Sequence, residues 1–394
     1  MKLTIFSQHF WPENFRINDV ASKLRSLKIK VNIFTGKPNY PEGIIRTKYK
    51  SLTPKIDYYK NIEILRFPII SRGKASFVSL SLNYLSFILS SLFFSFFYKK
   101  KFGKIFFIYA TSPIFQAIPV IILKKFFKIK VVIWVQDLWP HNLSDTGYIK
   151  NQLTLKIVDY IVKRIYDNSD LILCQSDAFA KVIKNKTKSK IKVLYNPSNY
   201  SYNFKKKTKT RFFDIYYTGN LGHGQNFDKI LEVFNDKIII KENIRLIIFG
   251  GGKNFDLIKK KIKQFNSKNI ILHKAVSPKK LEKFMHQADC FILKLNNGTG
   301  LSKTIPAKFQ TYLSFGRPII SVNGGIVSQL IKKYKIGFYS NKGNNKDLIS
   351  ILLKSKKLSK TRLNNIGKNS KRLFIKKFEI NNTCKKLKKY LEKL

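Results

Sequence analysis

Residues 214–233 read DIYYTGNLGHGQNFDKILEV, and this stretch decides the fold. An apolar run at 214–218 ends in a turn with three glycines, and a helical pattern follows at 227–234. A strand, a short turn and a helix in this order are the building unit of parallel α/β sheets. Glycines let the backbone approach an anion, and a helix N-terminus offers N–H donors. The stretch predicts either a diphosphate site or an ordinary tight turn.

The same alternation runs outward in both directions. Near-continuous apolar strands separated by helices predict parallel sheets that are covered on both faces. The polar, basic stretch 196–211 interrupts the alternation and predicts a linker. We therefore expect an α/β protein with two Rossmann-like parallel-sheet domains that face each other across a cleft. The predicted domains are 1–195 and 212–376, and residues 377–394 predict a basic helix able to pack back on the N-terminal domain.

Composition restricts the classes of partner. The 394 residues include 76 Lys and Arg against 22 Asp and Glu, a formal net charge of +54. Such a charge attracts nucleic acid, anionic lipid or phosphorylated substrates. The lysines are spread along the whole chain and form no stripe with stacking aromatics, so no specific nucleic acid partner is expected. Three distant cysteines exclude a zinc ribbon and a disulfide scaffold.

Residues 75–98, ASFVSLSLNYLSFILSSLFFSFFY, carry no charge and are flanked by lysines. Their length suits a membrane-spanning helix, but seven serines and an asparagine dilute the apolar character. Three interpretations remain open: a buried core helix, a helix lying in the membrane interface, or a span. A span is disfavoured because the sheet pattern continues on both sides of the segment.

Two loops at predicted strand ends are rich in polar and aromatic side chains. The first loop carries His9, Glu13, Asn14, Arg16 and Asp19. Parallel-sheet proteins bind ligands beyond the carboxyl ends of their strands, so this density predicts a ligand site. The alternative is structural, with Glu13 and Asp19 capping or orienting the next helix.

The second loop follows the strand at 130–136 and carries Gln136 and Asp137. Asp137 is suited to bonding either a sugar hydroxyl or loop amides.

Two more junctions between a predicted strand and a predicted helix contain glycines, as the first one does. Gly250 and Gly251 follow a strand, and 296–320, NNGTGLSKTIPAKFQTYLSFGRPII, places Lys303 just before a helix that Pro306 opens. A lysine beside a helix N-terminus can neutralise a leaving phosphate. The sequence contains no DxD, HExxH, P-loop or GxSxG motif, which argues against a divalent-metal nucleotide site and a hydrolase triad.

Four segments together resemble glycosyltransferase family 4, the retaining enzymes of the GT-B fold. They are SQHFWPENFRINDVA, WVQDLWP, YTGNLGHGQN and LSKTIPAKFQTYLSFGRPII. They look like the branch that contains N-acetyl-L-fucosamine transferases of bacterial O-antigen and capsule assembly. The resemblance implies a UDP-sugar donor held by the C-terminal domain, an acceptor held by the N-terminal domain, and no cofactor or metal.

The resemblance also marks departures. The Glu-x7-Glu element of the family falls on Lys303 and Thr311, so both carboxylates are missing. The basic residues of the family's Gly-rich loop fall on Asn220 and Gln225, and its N-terminal histidine falls on Gln136. These changes shift the neutralisation of phosphate charge toward Lys303.

The predicted function is transfer of a sugar, an N-acetylated deoxyhexosamine or hexosamine, from a UDP-sugar to a lipid-linked saccharide. The expected location is the cytoplasmic face of the inner membrane, bound peripherally to its anionic surface. The alternatives are a UDP-N-acetylhexosamine epimerase of the same fold and a basic nucleic-acid-binding protein.

The residues expected to carry this function form three groups. The predicted catalytic residues are Gln136, Asp137 and Lys303, and the acceptor residues are His9, Glu13, Asn14, Arg16 and Asp19. The predicted donor residues are Gly219, Asn220, Leu221, Gly222, Gln225, Gly250, Gly251, Lys303, Thr304, Gln310 and Thr311.

Overall fold

The computed structural model describes the chain except residues 112, 142, 144–150, 200, 201, 203, 204, 206, 209, 223–226, 295–302, 323, 341 and 342. The chain divides into two compact units. The first unit comprises Met1–Pro197 together with Ile380–Leu394, and the second comprises Ser198–Glu379.

The first unit contains an eight-stranded sheet in the order β3-β4-β2-β1-β5-β6-β7-β8. Its strands are β1 (Lys2–Ser7), β2 (Lys30–Gly36), β3 (Lys55–Tyr59), β4 (Ile62–Phe67), β5 (Ile105–Ala110), β6 (Lys130–Val135), β7 (Leu171–Cys174) and β8 (Ile191–Val193). Neighbouring strands are parallel except β3, which runs antiparallel to β4 at the edge. This edge strand was not predicted from the sequence.

Helices cover this sheet on both faces. They are α1 (Arg16–Ser26), α2 (Phe77–Phe97), α3 (Ile118–Phe126), α4 (Gln152–Asp167) and α5 (Asp177–Lys184). In the centre, Ile5 pairs with Ile33 and Phe107, and all three are fully buried. Because both faces of the sheet are covered, five of the six residues of β1 are buried, including the polar Thr4 and Ser7.

The second unit contains a six-stranded parallel sheet in the order β11-β10-β9-β12-β13-β14. Its strands are β9 (Phe213–Asn220), β10 (Ile244–Gly251), β11 (Ile270–Lys274), β12 (Cys290–Lys294), β13 (Ile319–Val322) and β14 (Gly337–Ser340). Its helices are α6 (Asp228–Phe234), α7 (Lys237–Lys241), α8 (Phe255–Phe265), α9 (Pro278–Met285), α10 (Ala307–Ser314), α11 (Ile326–Tyr334), α12 (Asn345–Lys357) and α13 (Lys360–Lys377). The prediction of two Rossmann-like α/β domains is confirmed.

The last helix, α14 (Ile380–Leu391), belongs to the first unit although it follows the second unit in sequence. Its buried side chains Cys384, Leu387 and Leu391 complete the apolar core around α1. Lys388 Nζ donates a hydrogen bond to the carbonyl of Leu27, 3.1 Å away. The amphipathic spacing of these apolar residues explains why the helix packs rather than projecting into solvent.

Candidate active site

The second sheet reverses its strand order between β9 and β12. The chain proceeds from β9 to β10 and β11 on one side, then returns to place β12 on the other. Pairing between β9 and β12 reaches only Tyr216 and Phe291, although the strands continue to Asn220 and Lys294. Such a switch point is where open α/β sheets bind ligands.

The two glycine-bearing turns lie side by side at this edge. Gly219 at the end of β9 is in register with Gly250 of β10, and Asn220 with Gly251. A Cβ atom on Gly250 would lie 2.8 Å from the carbonyl oxygen of Gly219, so only glycine fits there. The backbone N–H of Leu221 donates to the Gly251 carbonyl at 2.7 Å. The two junctions therefore form one continuous backbone surface.

Lys308 of α10 reaches onto this surface. A Cβ on Gly219 would lie 3.2 Å from Lys308 Nζ, and Gly219 itself has φ +126°. The Lys308 amine lies 4.1 Å from the Tyr217 ring centroid and donates a hydrogen bond to the Tyr217 hydroxyl. Burial lowers the pKa of Lys308 to about 7. An amine held away from water at a glycine turn is suited to binding an anion.

Two tyrosines hold the surroundings of Lys308 in place. The Tyr217 hydroxyl donates to the carbonyl of Asn220 at 2.9 Å, which fixes the end of β9. Tyr312 stacks on Phe291 with ring centroids 4.3 Å apart, and its hydroxyl accepts from the backbone N–H of Thr218 at 2.8 Å. Burial raises the pKa of Tyr312 to about 12, so this phenol stays protonated.

A second buried lysine, Lys294, ends β12 on the other side of the switch point. Its side chain is only 3% exposed. Burial first, and then the charge of Lys229, lower the pKa of Lys294 to about 8, while Asp228 and Glu232 oppose the shift. Lys294 and Lys308 carry no recognisable motif. Their only signals in the sequence are positional. Lys294 is the last residue of an apolar strand, and Lys308 lies two residues after Pro306, which precedes α10.

The predicted donor residues have different environments. Gly219, Asn220, Gly250 and Gly251 meet at the strand ends, and the Asn220 side chain lies against Gly222. Leu221 is fully buried in the core, so it can present only its backbone.

The predicted donor residues in and before α10 also differ in burial and in hydrogen bonding. Lys303 and Thr304 are partly buried in the segment before it, and the Thr311 hydroxyl donates to the carbonyl of Ala307 at 3.3 Å. Gln310 is 1% exposed, and neither of its amide atoms has a hydrogen-bond partner among the described residues. Gln225 lies outside the described residues.

The first sheet has an equivalent switch point between β1 and β5. Arg16 at the start of α1 interacts electrostatically with Tyr109 of β5 and with Asp19. Burial raises the pKa of Tyr109 to about 12, the charge of Asp137 adds to the shift, and Arg16 opposes it. Two predicted residues, Arg16 and Asp137, thus both influence the pKa of a buried tyrosine that the sequence analysis did not single out.

His9 and Glu13 form a buried pair instead of an exposed ligand surface. His9 Nδ1 lies 2.9 Å from Glu13 Oε2, and both side chains are at most 5% exposed. Glu13 Oε1 accepts from the backbone N–H groups of Asn39 and Tyr40 at 2.8 and 2.7 Å. Glu13 therefore fastens the loop after β2, a structural role that differs from capping the next helix. Of the other predicted residues, Asn14 is exposed and Asp19 is partly buried.

Gln136 belongs to a buried cluster of carboxamides at the ends of β6, β7 and β8. Its Oε1 accepts from Asn196 Nδ2 at 2.7 Å, and its backbone carbonyl accepts from Gln175 Nε2 at 2.5 Å. Gln136 Nε2 and Asn196 Oδ1 have no partner among the described residues. Two polar atoms at a strand end thus remain able to bond a ligand or water.

A cavity of about 790 Å³ lies at the amino ends of strands β9 and β12. Phe213, which begins β9, and Asp289, which precedes β12, both line it. Because ligands of parallel sheets bind at the carboxyl ends of the strands, this cavity is the less suitable site.

Comparison with known proteins gives a family match for part of the chain and a fold match for all of it. Residues 201–373 match the family described as "Glycosyl transferases group 1". No curated protein matches the sequence.

Solved structures match the whole chain. Sucrose-phosphate synthase from Thermosynechococcus elongatus has a TM-score of 0.70 and 10% identity, covering 100% of this chain and 98% of that one. Anabaena HepE in complex with UDP has a TM-score of 0.70 and 12% identity, with 100% of both chains covered. The lipopolysaccharide outer core galactosyltransferase WaaB has a TM-score of 0.67 and 15% identity, again with 100% of both chains covered. The chain therefore has the fold of these proteins, the GT-B fold, and residues 201–373 are similar to the Glycosyl transferases group 1 family.

Proposed function

We propose that this protein is a retaining glycosyltransferase that moves a sugar from a UDP-sugar to a lipid-linked saccharide. The sugar would be an N-acetylated deoxyhexosamine or hexosamine, and the process the assembly of a surface polysaccharide such as O-antigen or capsule. The reaction would take place at the cytoplasmic face of the inner membrane.

One observation carries the donor proposal: the amine of Lys308 at the turn of Gly219, beside the switch point of the second sheet. The diphosphate of a nucleotide sugar would bind the backbone of this turn and the protonated amine. When the sugar leaves, negative charge grows on the diphosphate, and a fixed cation stabilises that charge without reorganisation. HepE, one of the structural neighbours, has been solved with UDP and with UDP-glucose, which agrees with a uridine nucleotide.

The acceptor would bind to the first unit, around Arg16, Tyr109 and Asp137. Arg16 and Asp137 offer a donor and an acceptor of hydrogen bonds for sugar hydroxyls. Retaining transfer by front-side attack depends on positioning, so a fixed cluster of this kind is adequate without a strong general base.

Calorimetry with UDP, ADP and GDP in the presence of EDTA tests the donor proposal. We expect UDP to bind most tightly and without added metal. Incubation with UDP-sugars and a lipid-linked saccharide should then give a glycosylated lipid whose anomeric configuration matches that of the donor. A changed sugar nucleotide formed without any acceptor would indicate an epimerase. Absence of UDP binding, with salt-sensitive binding of RNA, would contradict the proposal.

A further inference from the structure

Helix α2 packs with its polar side inward. Its buried side chains are Asn83, Phe87, Ser91 and Ser95, one in every turn, and three of these four are polar. An ordinary helix on the surface of a soluble protein shows the reverse pattern. The burial of serine and asparagine against the sheet leaves the large apolar side chains of α2 on the outside.

The exposed side of α2 and one residue of α3 form a single apolar surface, which we call the Phe/Leu face. Its members are large apolar side chains that are 38–70% exposed: Val78, Leu82, Leu85, Leu89, Phe93, Phe96, Phe97 and Phe126. The rings of Phe96 and Phe126 lie 5.6 Å apart, which joins the two helices. A contiguous apolar surface of this kind marks a site of interaction with a partner or a membrane.

Exposed lysines lie next to the Phe/Leu face. Between Glu63 and Asp137 the sequence contains no Asp or Glu but nine lysines and two arginines, and four of these eleven basic residues form ion pairs with carboxylates. Lys99 and Lys100 are exposed just beyond the end of α2, and Lys125 and Lys128 are exposed on either side of Phe126. Lysines beside an apolar surface match the headgroups and acyl chains of an anionic bilayer, since each lysine strengthens attraction to anionic lipid.

Hydrogen bonds hold α2 on the first unit. Asn83 Oδ1 accepts from Gln8 Nε2 at 2.7 Å, and Asn83 Nδ2 donates to the carbonyl of Ile70 at 2.5 Å. Asn83 and Gln8 are each 1% exposed. By length and composition α2 could cross a membrane, yet a crossing helix would leave these buried groups without partners.

We infer that the Phe/Leu face is a docking surface for an anionic lipid bilayer, on which α2 lies along the plane of the headgroups. Gln8 directly precedes His9, so α2 is bonded to the loop that begins the predicted acceptor site. Docking would hold this loop near the membrane, where a lipid-linked acceptor is embedded.

The experiment is co-sedimentation of the full-length chain with vesicles of phosphatidylcholine, alone or mixed with phosphatidylglycerol. Leu89→Glu introduces a charge on the Phe/Leu face, and Leu257→Glu makes the same change at a similarly exposed site on α8. We expect Leu89→Glu to reduce partitioning about tenfold or more and Leu257→Glu to leave it unchanged. Circular dichroism of each variant checks that the fold is kept.

A second pair of variants tests the charge. Lys99→Gln with Lys100→Gln should weaken binding about tenfold on vesicles that contain phosphatidylglycerol, whereas Lys259→Gln with Lys260→Gln on α8 should not. Equal partitioning of Leu89→Glu and wild type would overturn the inference. So would retention of the protein in membranes after an alkaline wash, which indicates a span, or a stable dimer that Leu89→Glu dissociates. None of these measurements uses a sugar nucleotide, so their outcome is independent of the proposed transferase activity.

Discussion

The side-chain amine of Lys308 donates a hydrogen bond to the hydroxyl of Tyr217 and lies 4.1 Å from the centroid of that ring. The Tyr217 hydroxyl in turn donates a hydrogen bond to the carbonyl of Asn220, 2.9 Å away. One side chain of α10 is thereby connected to the last residue of β9. A ligand that binds the Lys308 amine at this strand end must either break its hydrogen bond to Tyr217 or bind the amine while that bond is kept.

Replacement of Lys308 by Met should weaken UDP binding about 10–100-fold. The substitution keeps the length of the side chain and removes its charge, and a hydrogen bond to a charged group contributes about 1.5–3 kcal/mol. Calorimetry with UDP measures the effect. Lys259→Met, at an exposed position of α8, is the matched control and should bind UDP like the wild type. Equal affinities of Lys308→Met and wild type would remove Lys308 from the site.

UDP affinity should fall as the pH rises above about 7. Burial lowers the pKa of Lys308 to about 7, so in the free protein the amine loses its proton above that pH. A bound diphosphate raises the pKa of the amine, and binding above pH 7 therefore takes up a proton. The affinity decreases by up to about tenfold for each pH unit until the pKa of the complex is reached.

Calorimetry at pH 8 in two buffers of different ionisation enthalpy reports this proton uptake directly. We expect uptake in the wild type and its disappearance in Lys308→Met. Uptake that persists in the variant would point to another group, and the first to examine is Lys294, whose pKa burial lowers to about 8.

Gly219→Ala should both destabilise the second unit and weaken UDP binding. The new Cβ would lie 3.2 Å from Lys308 Nζ, and a φ of +126° is strained for any residue with a side chain. Backbone strain of this type costs about 1–3 kcal/mol. Thermal unfolding and calorimetry measure the two effects. Gly324→Ala is the control, because a Cβ atom added there would have no heavy atom within 4 Å. A Gly219→Ala protein as stable as wild type would show that the turn relaxes freely.

Glu13→Ala should cost about 2–4 kcal/mol in the free energy of unfolding. The substitution removes the acceptor of two N–H groups, the buried one of Asn39 and the partly buried one of Tyr40, and a buried group left unsatisfied costs about 1–3 kcal/mol. Glu13→Gln retains one oxygen for the same groups and should lose less. Denaturant unfolding distinguishes the variants, with the exposed Glu42→Ala as control. Unchanged stability of Glu13→Ala would return Glu13 to the group of acceptor residues.

Strand positions in the centre of both sheets could be predicted because burial on two faces requires an unbroken apolar run. Strand β3, at the edge, could not. None of its residues, Lys55–Tyr59, is fully buried, whereas five of the six residues of β1 are buried. Its antiparallel direction depends on a tight connection to β4, and sequence periodicity alone does not report direction.

The candidate site was predictable where backbone geometry demands glycine and less so where burial changes a side chain. Gly219 and Gly250 are recognisable because few other residues fit a turn of this kind. Lys294 and Lys308 are two among 76 basic residues, and only their environment distinguishes them. The same limitation explains Glu13, whose partners Asn39 and Tyr40 lie 26 and 27 positions away in sequence.

Helix α14 has a consequence for the order of biosynthesis. Residues Ser198–Glu379 are contiguous, so the second unit can form its complete core as soon as it leaves the ribosome. The first unit, although synthesised earlier, still lacks Cys384, Leu387 and Leu391 at that time. Until α14 emerges, the apolar side of α1 stays uncovered, and the incomplete first unit exposes apolar surface of the kind that chaperones bind.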